Sequence, residues 1–585
     1  MIYVRRLLLT FLALLLSSHG VLAHDKEVEG EEVGGAEAQP EALCDAGAAQ
    51  VYPCSNTDLL AWLPPGVFGA GRANDIWGWT DRRSGREYAL VGLAGGTAFV
   101  DLSDPAQPVY LGLLPTQTLN STWRDIKTYR DHAFVVSEAF NHGLQIFDLS
   151  ALADVVDPPV IFAPTVHYEG FGNSHNLALD EETGIAFAVG TRTCGGGLHM
   201  VDVTRPREPL FAGCFDEDGY THDAQCVVYR GPDRDHYGRE ICFNSNEDTL
   251  TVVDVTHKDA PRMLSRTGYA GSSYTHQGWL TEDHRYFLLG DELDELRRGH
   301  NIRTYVWDVT NLETPSVVGA HTGTKRSIDH NMFVVGKHVF QANYRIGLSV
   351  LRMGDRSRGE MAEVASFDTF PLADGLSFSG AWGVYPFFES GVVVVSDINR
   401  GLFVLRPDLA AVPECNDGID NDSDGLTDFP EDPGCADAAG AAELPRNDVA
   451  IDLKPGDSQN FLKSRARGSV SVAVLGSPSF DVTTVDPRTL RFGPGGSRGW
   501  PRRAIRRDVN GDAEIDLVAW YGLRKAELSR GAEQACLRWQ TRDGTPYQGC
   551  DVIRSFRPDR SDLIRLLLRW LRGLFGGGGG SHTPS

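Results

Sequence analysis

The sequence has a deficit of basic residues and, beyond its first residues, no long apolar run. It contains 55 Lys and Arg residues against 79 Asp and Glu residues, a formal net charge of -24. A chain this acidic repels phosphate backbones, so the composition argues against a nucleic-acid partner. Cys-x-x-Cys pairs are also absent from the sequence, which argues against a thiolate zinc cluster or a thioredoxin-like redox centre.

Residues 1–23 have the pattern of a signal peptide. Two arginines precede an apolar run over residues 7–16, and small residues follow at a cleavage site. The run is short for the alternative, an uncleaved membrane anchor. We therefore predict an exported protein, secreted or held at the cell surface. Residues 24–43 are rich in Glu, Gly and Ala, which predicts a disordered spacer.

The chain contains ten cysteines. Exported proteins meet an oxidising environment, so we expect these cysteines to be bridged. Adjacency along the chain predicts five pairs: Cys44/Cys54, Cys194/Cys214, Cys226/Cys242, Cys415/Cys435 and Cys536/Cys550.

A repeat of about fifty residues runs through residues 44–412. Each copy has a short apolar strand that ends in Asp, followed by Val or Leu and then by Ser or Thr. Two of the copies are degenerate. The seven copies lie at residues 97–103, 144–150, 198–204, 250–256, 304–310, 348–352 and 402–406.

One copy shows four strands in full, at residues 331–335, 338–343, 346–352 and 362–368. Such a sheet cannot bury both faces alone, but seven sheets arranged radially cover one another. We therefore predict an all-β protein, a seven-bladed β-propeller followed by a calcium-type loop and a small β-rich domain. The last copy lacks its fourth strand, which the segment Leu59–Phe68 is expected to supply. A series of two-sheet sandwiches is the alternative.

The repeat resembles the LVIVD repeat, and the segment from about Cys44 to Pro407 resembles the choice-of-anchor B family of exported bacterial proteins. The resemblance rests on three copies of the repeat and on three short motifs: Phe99–Ser103, Met200–Thr204, Val252–Thr256, Asn173–Asn176, Tyr220–Asp223 and Ser327–Asn331. It implies a propeller at the cell surface or outside the cell. It implies no particular biochemical activity.

Polar residues recur where the first strand of each copy begins. In chain order they are Asp75, Asp125, His175, His222, His276 and His330, with Trp382 in the seventh copy. The second strand ends at the same rim, where the copies place Glu138, Asn244, Asp291, Asn343 and Asp397. Converging imidazoles and carboxylates suit a divalent transition metal or a polar ligand. We predict such a site at one mouth of the central channel; the alternative is a structural ring that locks neighbouring blades.

An acidic loop follows the repeats, within a linker that we assign to residues 413–446. Its oxygen ligands would come from Asp420, Asp422, Asp424, the carbonyl of Leu426, Asp428 and Glu431. Glycine at the sixth position permits the sharp turn that such a loop needs, and calcium prefers six to eight oxygens. The stretch resembles thrombospondin type 3 repeats, and we predict calcium as a structural cofactor.

Residues 447–556 alternate as strands and predict a β-rich accessory domain, with a hairpin bracketed by Cys536 and Cys550. Within it lies a weaker, dockerin-like calcium loop with the acidic and amide residues Asp508, Asn510, Asp512, Glu514 and Asp516. Ala513 stands where that loop pattern expects glycine. The tail, residues 557–585, holds an amphipathic segment over 561–575, which suits a peripheral membrane contact or docking on the protein's own body.

Two functions fit these patterns. The favoured one is a binding module for an extracellular protein, peptide or glycan, stabilised by calcium. The second is a metal-dependent hydrolase or oxidase that uses the four histidines, with Asp75, Asp125 or Glu138 as a ligand or base. A third hypothesis is that the protein is an inert structural spacer. The sequence contains no Ser-His-Asp or Cys-His nucleophile pattern and no Gly-rich phosphate loop.

Overall fold

The structure, a computed structural model, is all-β, with 48% of residues in strands and 5% in helices. It describes residues 38–421, 427–428, 438–439, 447–456, 460–462, 469–477, 480–493, 501–512, 514–522, 534–542, 546–552 and 554–555. The predicted signal peptide and the amphipathic tail therefore lie outside the described residues. The chain divides into two compact units, residues 1–412 and 413–585.

The first unit consists of mainly antiparallel sheets in chain order. It begins with β1 (Ala48–Ala49) and β2 (Tyr52–Ser55), which join a later sheet at the strand Met361–Phe367, and with β3 (Thr57–Leu63). The first sheets are built from β4 (Ala73–Asp81), β5 (Arg86–Leu93), β6 (Gly96–Asp101), β7 (Val109–Pro115), then β8 (Arg124–Tyr129), β9 (His132–Ser137), β10 (Leu144–Asp148), β11 (Val160–Ile161) and β12 (Val166–Tyr168). Strand β11 adds to β7, and β12 adds to β10.

The next sheets are β13 (Asn176–Asp180), β14 (Ile185–Val189), β15 (Leu198–Asp202), β16 (Leu210–Phe215), followed by β17 (Asp223–Val228), β18 (Glu240–Ser245), β19 (Leu250–Asp254), β20 (Arg262–Thr267), and by β21 (Thr275–Leu280), β22 (Tyr286–Asp291), β23 (Arg303–Asp308), β24 (Ser316–Thr322). The last are β25 (Asn331–Val335), β26 (His338–Ala342), β27 (Leu348–Met353), β28 (Met361–Phe367), and β29 (Ala381–Tyr385), β30 (Val393–Asp397), β31 (Gly401–Pro407). Two short helices, α1 (Pro65–Phe68) and α2 (Asp294–Arg298), interrupt this order. The four strands predicted between residues 331 and 368 are confirmed to within two residues at each end.

The repeated Asp of each copy has a local structural role. In five copies its carboxylate accepts a hydrogen bond from the backbone N–H two residues later, at 2.7–3.0 Å: Ser103 on Asp101, Ser150 on Asp148, Thr204 on Asp202, Thr256 on Asp254 and Thr310 on Asp308. This Asx turn ends the third strand and starts the connection to the fourth. The recurring motif is therefore explained by turn chemistry.

The first strands of the sheets contact one another in series. Strand β4 contacts β8, the contacts continue through β13, β17, β21 and β25 to β29, and β29 contacts β4 again. The N-terminal strand β3 pairs with β31, from Thr57 opposite Pro407 to Leu63 opposite Leu402. The predicted closing segment thus supplies the missing strand, although Phe68 lies in α1. This arrangement is a propeller-like all-β fold whose first strands line a common axis.

Four of the predicted disulfides are present: Cys44–Cys54, Cys194–Cys214, Cys226–Cys242 and Cys536–Cys550. Cys415 is also disulfide-bonded, but its predicted partner Cys435 lies outside the described residues. Bridged cysteines are consistent with an oxidising compartment. None of the helices in the described parts of the chain has the length and apolar character that a bilayer crossing requires.

The second unit is also built from sheets. Its strands are β32 (Asn447–Asp448), β33 (Ile451–Leu453), β34 (Phe461–Leu462), β35 (Ser469–Val474), β36 (Arg491–Gly493), β37 (Arg503–Arg507), β38 (Asp516–Gly522), β39 (Gln534–Gln540), β40 (Pro546–Val552) and β41 (Arg554–Ser555). Strands β39 and β40 form the expected hairpin, with Cys536 opposite Cys550. Leu453, Val472, Phe492, Tyr521 and Trp539 are among the residues of its own buried core.

Candidate functional site

Four predicted histidines lie side by side where the first strands begin. The ring centroids are 4.3 Å apart for His175 and His222, 4.3 Å for His222 and His276, and 4.5 Å for His276 and His330. Only 2%, 2% and 4% of His222, His276 and His330 are exposed. The structure therefore brings the four predicted histidines together, and three of their imidazoles are almost entirely buried.

The pair His175 and His222 is spaced for a shared proton. Their Nε2 atoms are 2.8 Å apart, closer than the ~3.3 Å between two nitrogens on one tetrahedral zinc with Zn–N bonds of about 2.0–2.1 Å. His222 Nδ1 lies 2.9 Å from the carbonyl of His276, and His175 Nδ1 lies 2.6 Å from Glu138 Oε1. If His222 Nδ1 donates to that carbonyl, the neutral His222 ring accepts at Nε2. The hydrogen bond between the two Nε2 atoms is then donated by His175. Burial, followed by the charges of His175 and His276, lowers the pKa of His222 well below its usual value.

The group best arranged for a metal is His276, Glu292 and His330. One ligand atom from each lies within 4.8 Å of the others, and all three side chains are buried. His330 Nδ1 contacts the carbonyl of Trp382, and its Nε2 lies 3.7 Å from Glu292 Oε1. A backbone contact at Nδ1 directs the other nitrogen toward the ligand position, as in many metal sites. Two imidazoles and a carboxylate are a donor set that zinc accepts.

Asp75 and Asp125 are placed differently from the histidines. Asp75 Oδ2 accepts a hydrogen bond from the backbone N–H of Ile126, and Asp125 Oδ2 accepts one from Leu177, at 2.9 and 2.6 Å. Each carboxylate therefore ties one sheet to the next. Both carboxylates also line a cavity. None of the four histidines is among the described residues that line this cavity. The predicted single mouth thus divides into two regions.

This cavity lies inside the ring of first strands and has a volume of about 470 Å³. Its wall is rich in aromatic side chains: Trp77, Trp279, Phe333, Tyr385 and Phe387. The residue that follows each predicted histidine also lines it: Asn176, Asp223, Gln277 and Asn331. Glu181 and Glu182, in the turn after β13, extend it to the opposite rim. The cavity therefore reaches the rim where the first strands end.

The cavity carries more negative than positive groups. Six carboxylates line it, those of Asp75, Asp125, Asp180, Glu181, Glu182 and Asp223, against the basic side chains Lys127 and Arg230. Lys127 pairs with Asp125 at 2.5 Å, and Arg230 pairs with Glu182 at 2.7 Å. Burial and the charge of Asp125 raise the pKa of Asp223 to about 7 and that of Asp75 well above its usual value. Burial is the larger cause of both shifts, and the charge of Lys127 opposes them.

Lys127 makes a cation–π contact with the aromatic wall of the cavity. Its ammonium nitrogen lies 4.4 Å from the centroid of the Trp77 ring, which is within the range of a cation–π interaction. Trp77 also packs edge-on against Phe333 and Tyr385, with centroids 5.7 and 5.2 Å apart. Because the wall is fixed by these ring contacts, the face that meets the ammonium is preformed.

The members of the predicted second ring have different contacts. Glu138 reaches His175, as described above, but Asp291 accepts hydrogen bonds from Tyr269, Ser273 and Tyr274, and Asp397 accepts from Thr369, Asn399 and Arg400. The side-chain atoms of Asn244 and Asn343 are buried without a hydrogen-bond partner. Glu292, which follows Asp291 directly, is the residue that completes the histidine group, and the repeat alignment missed it.

Of the predicted calcium loop, Asp420 and Asp428 are described. Asp428 accepts hydrogen bonds from the backbone of Asp417 and Gly418, both at 2.9 Å. Asp422, Asp424, Leu426 and Glu431 lie outside the described residues. The geometry of the whole loop therefore stays a prediction.

In the weaker loop, the predicted ligands make contacts among themselves and with the backbone. Asp508 accepts from Gly511 at 2.7 Å, and Asp512 accepts from the Asn510 amide at 2.8 Å and from the Glu514 N–H at 2.9 Å. Asp516 is fully buried and accepts from Val509 and Gly476. The carboxylate of Asp516 therefore holds the loop against β35.

No protein-family model matches the chain, and no curated protein matches it. Solved structures that match include a crystal structure of a protein from Lactobacillus plantarum, which is 14% identical. That match covers 55% of this chain and 88% of the other, with a TM-score of 0.37.

Proposed function

We propose that this protein is an exported, seven-bladed β-propeller that binds a small ligand bearing a cationic group in the cavity of its central channel. The observation that carries the proposal is the cavity wall, in which aromatic faces stand beside carboxylates that outnumber the basic groups. Aromatic faces and uncompensated carboxylates together attract an ammonium or guanidinium group. Such a group also occurs on peptides, which were among the expected partners.

The position of Lys127 supports this ligand class. Its ammonium already stands over Trp77 and pairs with Asp125, so the protein's own side chain occupies part of a cation site. Asp75 and Asp223 have no described ion-pair partner of their own. A second ammonium, supplied by the ligand, would balance these carboxylates. Binding of a cation would lower the pKa of Asp223, and release of its proton would accompany binding.

The predictions on family, calcium and location are compatible with this proposal. Membership of the choice-of-anchor B family, calcium in the loop Asp420–Glu431, and a location outside the cell fit a surface binding module. The four disulfides support the location. Calcium would stiffen the segment after the propeller, and the amphipathic segment 561–575 would add a peripheral membrane contact.

Isothermal titration with four probes tests the ligand class: tetramethylammonium, butylamine, acetate and glucose. We expect heat of binding for tetramethylammonium or butylamine, and none for acetate or glucose. The variant Trp279→Leu should weaken the interaction, whereas Tyr237→Leu, at an exposed aromatic outside the cavity, should not. Binding of glucose with no response to either cation would overturn the cationic class.

A metal-dependent reaction is the second candidate function, and the His276, Glu292 and His330 group is the observation behind it. These residues would hold a divalent metal such as zinc, which would act as a Lewis acid. Their burial weighs toward a closed structural metal, because catalytic zinc sites keep an open position. Metal analysis of the purified protein, compared with the His175→Ala/His222→Ala and His276→Asn/His330→Asn variants, decides whether zinc is present and which pair holds it.

A further inference from the structure

A second buried polar cluster lies beyond both regions of the channel, where the chain leaves β22 and enters α2. It consists of Asp294, Glu295, His300 and Asp329. Asp294 and Glu295 are fully buried, and Asp329 is 2% exposed. One ligand atom each from Asp294, Glu295 and His300 lies within 4.8 Å of the others. Carboxylates gathered this closely in a protein interior need protons or a cation between them.

The carboxylate oxygens of the cluster are short of donors. Both oxygens of Glu295, both oxygens of Asp329 and Oδ1 of Asp294 are buried and receive no hydrogen bond from a donor outside the cluster, although the Glu295 carboxyl group contacts those of Asp294 and Asp329. Only Oδ2 of Asp294 has a donor, the hydroxyl of Tyr305 at 2.9 Å. No basic side chain among the described residues forms an ion pair with Glu295 or Asp329. Native interiors rarely leave so many acceptors unsatisfied, and a bound cation would satisfy them.

His300 is oriented as a ligand would be. Its Nδ1 lies 2.7 Å from the carbonyl of Asn301, so the proton of the neutral ring sits on Nδ1. Nε2 then presents its lone pair, and this atom is buried without a hydrogen-bond partner. It lies 3.4 Å from Asp294 Oδ2. A backbone carbonyl that fixes the tautomer in this way is the usual outer support of a metal-bound imidazole.

The backbone makes room for the acidic group at Gly290. A Cβ atom on this residue would lie 2.2 Å from Asp329 Oδ2, so a larger residue would displace that carboxylate. Burial and then the charges of Asp329 and Asp294 raise the pKa of Glu295 to about 12. A divalent cation would offset the repulsion among these carboxylates, which adds to the effect of burial.

We propose that Asp294, Glu295 and His300 bind a divalent cation, with the Asp329 carboxylate beside Glu295, and that this site is separate from the ligand cavity and from the His276 group. Two carboxylates and one imidazole combine the oxygen donors that calcium, magnesium and manganese prefer with one nitrogen donor. Manganese(II) accepts both kinds of donor, so it is the probe of choice. A cation here would fix α2 to the start of β25, where His330 follows Asp329 directly.

Manganese titration of the chelator-treated protein, followed by the electron paramagnetic resonance signal of free Mn²⁺, tests the site. The isosteric variant Glu295→Gln/Asp329→Asn is compared with Asp216→Asn/Glu217→Gln, which removes the same charge at two exposed positions. We expect the first variant to bind one Mn²⁺ fewer than the wild type, or to bind it at least about a hundredfold more weakly, since loss of a mere outer-shell partner costs 10–100-fold. The control variant should match the wild type.

A second measurement uses the same two variants. Chelation should lower the melting temperature of the wild type and of Asp216→Asn/Glu217→Gln more than that of Glu295→Gln/Asp329→Asn, and added Mn²⁺ should restore the difference, because a cation that binds only the folded state stabilises that state. Equal Mn²⁺ stoichiometry in wild type and variant, or an equal response of their melting temperatures to chelation, would overturn the proposal. The carboxyl groups would then share protons, and Glu295→Gln/Asp329→Asn would be as stable as the wild type or more stable.

Discussion

The two regions of the channel differ although neighbouring residues of the same strands build them. At the start of the first strands, His222, His276 and His330 pack ring against ring and leave almost no exposed surface. One residue further along, Asp223, Gln277 and Asn331 face the cavity of about 470 Å³. The first region is suited to a proton or a metal ion, and the second to an organic ligand. Residues that are neighbours along one strand therefore belong to two different candidate sites, the histidine region and the ligand cavity.

The largest effect is expected from truncation of the aromatic wall. Trp77→Ala should destabilise the protein by about 3–5 kcal/mol, because a buried tryptophan is replaced by a void. It should also abolish tetramethylammonium binding, since the cation–π face is lost. Urea unfolding and titration calorimetry measure the two effects. The control Tyr237→Ala, at a residue that is 51% exposed, should change stability by less than about 0.5 kcal/mol.

Disruption of the histidine region should leave the cavity intact. His276→Asn/His330→Asn removes two of three candidate ligands, so zinc affinity should fall by at least about a hundredfold. Tetramethylammonium affinity should stay within about twofold of wild type, because these residues do not line the cavity. Equilibrium dialysis with zinc and calorimetry with the cation give both numbers. Parallel loss of the two affinities would mean that the regions act as one site.

The pH dependence of stability is the next test. Burial, and then the charge of Asp125, raises the pKa of Asp75 above the ~3.9 of an unfolded aspartate. The folded state therefore holds the proton more tightly, and the stabilisation present at low pH is lost as pH rises through the folded pKa. Asp75→Asn keeps an acceptor for the Ile126 N–H and should flatten this loss above pH 4. At pH 8 it should be more stable than wild type by on the order of 1 kcal/mol. Thermal unfolding from pH 4 to 8 measures it; an unchanged slope would contradict the assignment.

The smallest effect concerns the ammonium that the protein itself supplies. Lys127→Met removes the group that pairs with Asp125 and stands over Trp77, which leaves the cavity more negative. Tetramethylammonium should then bind about 3–10-fold more tightly, as expected for 0.5–1.5 kcal/mol of cation–π and charge interaction. Weaker binding in this variant would show that Lys127 contacts the ligand directly.

Much of the propeller-like fold is predictable because it depends on local chemistry. In five copies the Asp that ends the third strand makes an Asx turn with the residue two positions later, and the requirement for Asp at this position is visible in the sequence. The closing strand is predictable from the missing fourth strand, although it spans Thr57–Leu63 rather than Leu59–Phe68. The disulfides follow from adjacency, since the paired strands β17 and β18 place Cys226 opposite Cys242.

The site is less predictable because bulges break the strand period. The pairing of β21 with β22 skips His276, and the pairing of β29 with β30 skips Trp382. In β4 the register shifts between Ala73 and Ile76. A bulge re-aims the side chain at the extra residue, so an alignment by sequence alone joins Asp75 to the histidines instead of to the residues that follow them; Asp125 lies in β8, whose pairing with β9 is regular. Glu292 was missed because its position lies after the end of β22, outside the repeat.

The central claim is that a cationic ligand enters the cavity and does not reach the histidine region. Fluorine NMR of protein labelled with 5-fluorotryptophan tests it most directly, with Trp77, Trp279 and Trp382 assigned by their Trp→Phe variants. On titration with tetramethylammonium, the Trp77 and Trp279 signals should shift, and the signal of Trp382, which packs on His330 with centroids 4.9 Å apart, should stay unchanged. A shift of Trp382 alone, or of none of the three at saturating cation, would contradict the account.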